Sequence, residues 1–309
     1  MATAALIDTD MGIDDAVAVS LALASKTLSV KGLVAVGGNV PVDEVVVNIG
    51  RLLRAVNPPV RPVAARGLDG PASGVGDRRD IHGEDGLGQG YLSADETAQP
   101  MDFRTVYRET AAAAKGELAV VCLGPLTNLA AMLEADRELA RSIKQVFVSG
   151  GAVWTKGNVS DTAEYNFRRD PQAAARVLSS GLPITVVPLD VTGMIRLDES
   201  HVARLAASGS RTGEVLAEIM RYSLERDDAP GPGKTFIQDA VTMGGVLWPD
   251  LFLRTRMRLD VETQGPQIGR CKPALGGDRP LQVNILTVVN AVDLIENMLE
   301  SLCHEEFVV

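Results

Sequence analysis

Ala4-Ala5-Leu6-Ile7-Asp8-Thr9-Asp10-Met11-Gly12-Ile13-Asp14-Asp15-Ala16 passes from apolar to acidic and then opens onto the apolar stretch 16–24. A short apolar run that ends in a polar turn and leads into a helix-length apolar segment reads as strand, turn and buried helix. The pattern returns where Leu33-Val34-Ala35-Val36 leads through Gly37-Gly38-Asn39 to a helical stretch over 42–56. Leu118-Ala119-Val120-Val121-Cys122, Val146-Phe147-Val148 and Ile184-Thr185-Val186-Val187-Pro188-Leu189 each precede a turn and helix-compatible sequence. Strands alternating with helices imply an α/β fold with a mostly parallel central sheet flanked by helices on both faces. No fixed-period repeat and no Pro/Gly/Ser linker divides the chain, so residues 1–309 are expected to form a single domain. Long functional loops are expected over 67–90, 153–170 and 227–233.

At 309 residues, 46% hydrophobic and 23% charged, the chain can bury a large core, which excludes disorder and fibre. Lys+Arg of 30 against Asp+Glu of 40 gives a net charge of −10. No basic surface is left to neutralise nucleic-acid phosphates or to sit on an anionic membrane, so neither is an expected partner. Cys122, Cys271 and Cys303 lack paired spacing, which points to a reducing compartment and offers neither a disulfide framework nor a zinc site. The N-terminus meets aspartates at once instead of a basic and then apolar leader, and no uncharged apolar run could span a bilayer. A soluble, cytoplasmic protein is expected.

The acidic residues fall at an expected carboxyl end of a strand, where open parallel sheets build their ligand crevices. Asp8, Asp10, Asp14 and Asp15 cannot all ionise together at one strand end unless a cation or strong donors compensate. A hard cation, calcium or magnesium, is the economical explanation. The plainer alternative is that Asp14 and Asp15 cap the helix while Asp8 and Asp10 sit on the surface. Asn39 and Asn158, each beside a glycine, could equally be turn residues, and Glu164 and Asn166 could lie in a solvated loop. Gly124-Pro125-Leu126-Thr127-Asn128 also suits a helix start.

The first block resembles the DTDxGxDDAxA-type signature of the inosine-uridine preferring nucleoside hydrolase family. Gly38-Asn39, Ile81-His82-Gly83, the run 124–130, Gly150-Gly151-Ala152, Gly157-Asn158, Ala163-Glu164-Tyr165-Asn166 and Asp170-Pro171 resemble further family blocks in the family's order, over residues 4 to 240. The resemblance implies a Rossmann-like nucleoside hydrolase fold and a calcium-dependent N-ribohydrolase acting on a small-molecule nucleoside, as a homo-dimer or homo-tetramer. It implies calcium ligation by Asp10, Asp15, the Leu123 carbonyl and Asp239, with Asp10 as the general base. Asp14, Asn39, Asn158, Glu164 and Asn166 would then bind ribose, whose hydroxyls each need a partner once buried. Carboxylates would also stabilise the oxocarbenium-like sugar of glycoside cleavage.

The sequence departs from the family at Gln238, where many members carry a histidine before the ligand aspartate. A glutamine amide donates a hydrogen bond but delivers no proton at neutral pH. His82, the one histidine in a matched block, is a candidate for a catalytic or substrate role, whereas His201 and His304 read as surface residues. Tyr222, Arg226 and Asp228 are weaker substrate-site candidates, and Trp154 is a candidate to stack on a base or to pack. Gly231-Pro232-Gly233-Lys234-Thr235 resembles the end of a P-loop, but no strand precedes it and Asp228 stands where the first glycine would. Two rival readings are a magnesium-dependent phosphohydrolase with Asp8 or Asp10 as nucleophile and a non-catalytic nucleoside or ribose binder.

Overall fold

The computed structural model describes residues 2–71, 73–89, 92, 100–136, 138–226, 233–274 and 282–304. Its strands are β1 (Thr3–Thr9), β2 (Leu28–Ala35), β3 (Val63–Arg66), β4 (Met101–Asp102), β5 (Leu118–Cys122), β6 (Ile143–Ser149), β7 (Ile184–Val187), β8 (Arg196–Asp198), β9 (Lys234–Phe236), β10 (Phe252–Met257), β11 (Leu259–Val261), β12 (Cys271–Pro273) and β13 (Val283–Val289). Nine of them form one sheet in the order β10-β13-β7-β6-β5-β1-β2-β3-β4. Every neighbouring pair in it is parallel except β10 with β13, as the alternation of strands and helices requires.

Side chains that alternate along a buried strand feed a separate core on each face. Ala5 and Ile7 of β1 pack into one core with Leu33, Ala35 and Val121, and Leu6 packs into the other with Val34, Val120 and Cys122. The helices Ile13–Ala24, Val42–Val56 and Gln238–Leu247 cover the first face. Phe103–Ala114, Thr127–Ala135 and Pro171–Leu178 cover the second. The strand expected over 184–189 stops at Val187, because Pro188 has no N–H for the ladder and the chain turns into the short helix Leu189–Thr192. β3, β4, β10 and β13 were not legible as strands, being very short or half exposed. His201 stays near the surface, with Nδ1 2.7 Å from Asp198 Oδ1 at the start of the helix Glu199–Ala206. Among the described residues no helix is long and apolar enough to cross a membrane.

The chain runs from β1 outward through β2, β3 and β4, then returns to place β5 on the other side of β1. Such a reversal of strand order opens a crevice at the carboxyl ends of the two central strands. Asp10 follows β1 and Leu123 follows β5, so both stand at that opening. The buried Asn128 braces its rim: its Nδ2 donates to Asp8 Oδ1 at 2.8 Å and to the Ala35 carbonyl at 3.0 Å, and its Oδ1 accepts the Leu68 N–H at 2.8 Å. Asn128→Ala strands buried partners of three elements at once and should lower stability by about 3 kcal/mol, read as a lower denaturant midpoint with unchanged slope.

Candidate active site

The floor of the crevice is built by the turn after β1. Met11 holds a left-handed φ of 39°, which turns the chain sharply from strand to helix. Asp8 lies within β1, whereas Asp10 lies just past its end. Asp8 faces the second core, where it accepts bonds from Tyr107 Oη at 2.7 Å and from Asn128. Asp10 lines the cleft, its Oδ2 accepting the Asn39 N–H at 2.9 Å. Gly38 and Gly124 make room for it, since a Cβ at either would come within 2.0 Å of its Oδ2 or 2.9 Å of its Oδ1. Asp15 is fully buried at the first turn of the helix Ile13–Ala24 and accepts Thr9 Oγ1 at 2.5 Å, the Gly12 N–H at 2.8 Å and Asn39 Nδ2 at 3.3 Å. Asp239 arrives from a distant segment, its backbone N–H donating to Asp14 Oδ2 at 3.3 Å.

Carboxylate oxygens of Asp14, Asp15 and Asp239 lie within 4.8 Å of one another, a grouping that could hold a metal ion. Burial, and then the charge of Asp15, raise Asp10 well above the ordinary carboxylate range and Asp14 to about 7. Burial also raises Asp15, against the bonds it accepts, and it raises Asp239 together with the charges of Asp14, Asp15 and Asp10. Four acids in a dry pocket repel until something positive joins them, and oxygen donors alone suit a hard divalent cation. The residues present therefore fit such an ion.

Walls rise on both sides of this floor. Glu164 caps the short helix Tyr165–Arg169, its carboxylate accepting N–H bonds from Asn166 at 2.8 Å, Gly151 at 2.9 Å and Phe167 at 3.1 Å. Asn166 spans the ends of β5 and β6, with Nδ2 donating to the Leu123 carbonyl at 2.7 Å and the Ser149 carbonyl at 3.1 Å. Asn158 accepts the Tyr165 N–H at 2.8 Å. Across the cleft, His82 is buried and its Nδ1 accepts the Ile13 N–H at 3.1 Å. An acceptor Nδ1 places the ring hydrogen of a neutral imidazole on Nε2. Burial, and then the charges of Arg78 and Arg226, lower His82 to about 3, so the ring stays neutral throughout the physiological range.

Of the residues singled out in the sequence, Asp10, Asp14, Asn39, His82, Leu123, Asn158, Glu164, Asn166, Arg226, Gln238 and Asp239 all line one cleft of about 220 Å³. Asp15 stands directly behind its floor. Two candidates stand apart from the cleft. Tyr222 lies outside the wall, packed against the first core and beside Gly88, because its position on the helix Arg211–Leu224 turns it away. Trp154 is 54% exposed and also outside the wall, and Asp190 accepts the Val153 and Trp154 N–H groups at the start of its loop. Asp228 and the glycines and prolines of 229–232 lie outside the described residues. Arg78, Tyr165, Ser223 and Phe236 line the cleft without having been singled out. Tyr165 stood inside a matched block, whereas nothing local marks Arg78.

The phosphohydrolase reading loses one of its two candidate nucleophiles. Asp8 is turned out of the cleft, which removes it as a phosphohydrolase nucleophile. Within the Gly124–Asn128 run, Gly124 accommodates Asp10, Thr127 Oγ1 donates to Asp170 at 2.8 Å and Asn128 ties down Asp8.

Comparison with known proteins points the same way. Residues 5–296 match the profile of a family described as inosine-uridine preferring nucleoside hydrolase. The chain is 31% identical to uridine nucleosidase 1 of Arabidopsis thaliana over 273 residues, covering 85% of this chain and 80% of that one. It is 32% identical over 269 residues to the pyrimidine-specific ribonucleoside hydrolase RihA of Escherichia coli O81 (strain ED1a), covering 86% of each. Its fold superposes on a plant nucleoside hydrolase, the PpNRh1 enzyme, with a TM-score of 0.91 at 28% identity over 98% of this chain and 99% of the other. A purine-preferring ribonucleoside hydrolase from Gardnerella vaginalis shares the fold, with a TM-score of 0.89 at 24% identity over 97% of this chain and 98% of that one.

Proposed function

The chain belongs to the inosine-uridine preferring nucleoside hydrolase family and hydrolyses the N-glycosidic bond of ribonucleosides, and we propose that it does so on pyrimidine nucleosides, with Asp10 as general base and calcium as its metal. One observation supports the site assignment above the others: Asp239, 225 residues beyond Asp14, meets the acids of the first turn on the cleft floor. Asp10, Asp15, Asp239 and the Leu123 carbonyl would hold the ion. When bound, such an ion makes a water more acidic and compensates the clustered carboxylates. The two relatives named for uridine and pyrimidine substrates support the choice of base.

In this reading ribose lies on the acidic floor, with Asp14, Asn39, Asn158 and Asn166 partnering its hydroxyls and Glu164 setting the wall through its cap. Asp10 accepts the proton of the water that attacks the anomeric carbon, the role open to a carboxylate that lines the cleft floor once a cation compensates its neighbours. The base points toward Ile81, His82, Phe236 and Gln238. A reducing-sugar assay over purine and pyrimidine ribonucleosides, with and without added calcium, tests all of this. Ribose release from uridine and cytidine is expected; no release from any nucleoside would leave the binder reading in its place. Cysteine usage supports a cytoplasmic, reducing setting, and relatedness supports a homo-oligomer of two or four chains.

Gln238 contributes one amide hydrogen bond toward the base. Gln238→Ala should therefore cost about 1 kcal/mol, roughly fivefold in kcat/KM. His82 already holds its Nδ1 on a backbone N–H and is neutral above pH about 3. Its substitution by Gln should lower kcat/KM without moving either limb of the pH profile around neutrality, because no proton enters or leaves the ring there. A lost limb would make the histidine a titrating acid.

A further inference from the structure

Hydrolysis leaves the departing base with the electron pair of the broken C1′–N bond, and that charge needs either a proton or a cation beside it. Ser223, Thr235, Phe236 and Gln238 line this part of the cleft, and none of these side chains gives up a proton at neutral pH. Tyr165 Oη already donates to the Gly38 carbonyl at 2.6 Å, with the Gly76 carbonyl 3.1 Å away, and burial raises its hydroxyl above the ordinary range. His82 accepts at Nδ1 and offers only the Nε2 hydrogen, as a donor. Acid catalysis of departure has no evident source among these side chains.

What the cleft holds instead is positive charge. In a chain of net charge −10, and opposite a floor of carboxylates, two guanidinium groups line the same cleft as His82. Arg78 is fixed from three directions. Its backbone N–H donates to the Asn39 carbonyl at 2.9 Å, its Nε lies 3.3 Å from Asp80, and its guanidinium carbon sits 5.3 Å from the centre of the Tyr165 ring. It also opens the helix Arg79–His82, its carbonyl accepting the His82 N–H at 2.9 Å, so the two residues share one helical turn. Arg226 approaches from the end of the helix Arg211–Leu224. The charges of both reach His82, and each disfavours a second positive charge there.

Resting on the hydrolase reading above, we propose that Arg78 and Arg226 stabilise the departing base as an anion, with the Nε2 hydrogen of His82 as a neutral donor between them. The water's hydroxyl joins C1′, its proton goes to Asp10, and the C1′–N electron pair leaves with the base. The base anion takes its proton from bulk water after release. Fixed cations aimed at developing charge need no reorganisation and act strongly in a pocket that excludes water.

The test measures kcat/KM for the wild type, Arg78→Gln, Arg226→Gln and Arg226→Lys on uridines whose 5-substituents grade the acidity of the leaving base. Loss of a stabilising cation matters most for the least acidic base. Each Gln variant should lose about a hundredfold on that substrate and under about threefold on the most acidic one, steepening the dependence on leaving-group acidity. Arg226→Lys keeps the charge and should restore the shallow wild-type slope in part. A uniform loss across the series in both Gln variants, which folding or binding damage would produce, or no loss in either, overturns the proposal. A wild type that releases ribose from no member of the series takes down the hydrolase reading as well, and so separates the two failures.

Discussion

2′-Deoxyuridine should be hydrolysed about ten-thousandfold less efficiently than uridine, the penalty expected where a buried polar site is built around a substrate hydroxyl. The reason lies in how little of the floor is left to water. Burial raises the proton affinity of Asp10, Asp14, Asp15 and Asp239, and Asn39 and Asn166 are buried beside them. A sugar lacking one hydroxyl leaves a desolvated partner unsatisfied without gaining anything in exchange. The loss should fall mainly on kcat, because the contacts that orient the anomeric carbon tighten as the bond breaks. Paired measurements of kcat and KM on the two nucleosides check this, and comparable efficiencies would place ribose somewhere other than on the acidic floor.

Asp10→Asn should lose on the order of a hundredfold or more in kcat, and the fully metal-stripped protein should lose activity altogether, with recovery on adding calcium back. The substitution is nearly isosteric, so the packing against Gly38 and Gly124 survives while the acceptor for the water's proton disappears. It also removes one acid from a cluster whose members raise one another's proton affinity. Asp239 should therefore ionise more readily, and the folded protein should gain stability without metal even as it loses turnover. Thermal unfolding of the stripped wild type and variant reads the first effect and ribose release the second. Full turnover in a preparation shown metal-free by elemental analysis would defeat the metal assignment.

Much of the site was readable before any folding was considered, because its residues follow strands whose apolar runs are local signals. Asp10, Asn39 and Leu123 each stand just past an apolar run, and a parallel sheet collects such positions at one edge. Glu164 and Asn166 were named for the right neighbourhood, although much of what their side chains do is internal: one caps a helix and the other ties two strand ends together. Tyr222 and Trp154 do not line the cleft, and where each stands depends on packing and loop contacts that no local pattern shows. Nothing near Arg78 in sequence marks its role, since its partners Asn39 and Tyr165 belong to other elements.

From the sequence by itself came the alternating α/β architecture, the acidic turn after the first strand and the loss of the usual histidine at Gln238. Tertiary structure alone decided that Asp8 turns into the second core while Asp10, two residues on, faces the cleft, and that Asp239 joins Asp14 and Asp15. It alone set two arginines beside a neutral imidazole. The physical reason is range. Burial patterns repeat every two residues in a strand and every 3.6 in a helix, so they are written locally. Which strand ends meet, and which charges then share one dry pocket, depends on the crossing order of the whole sheet, which no local window contains.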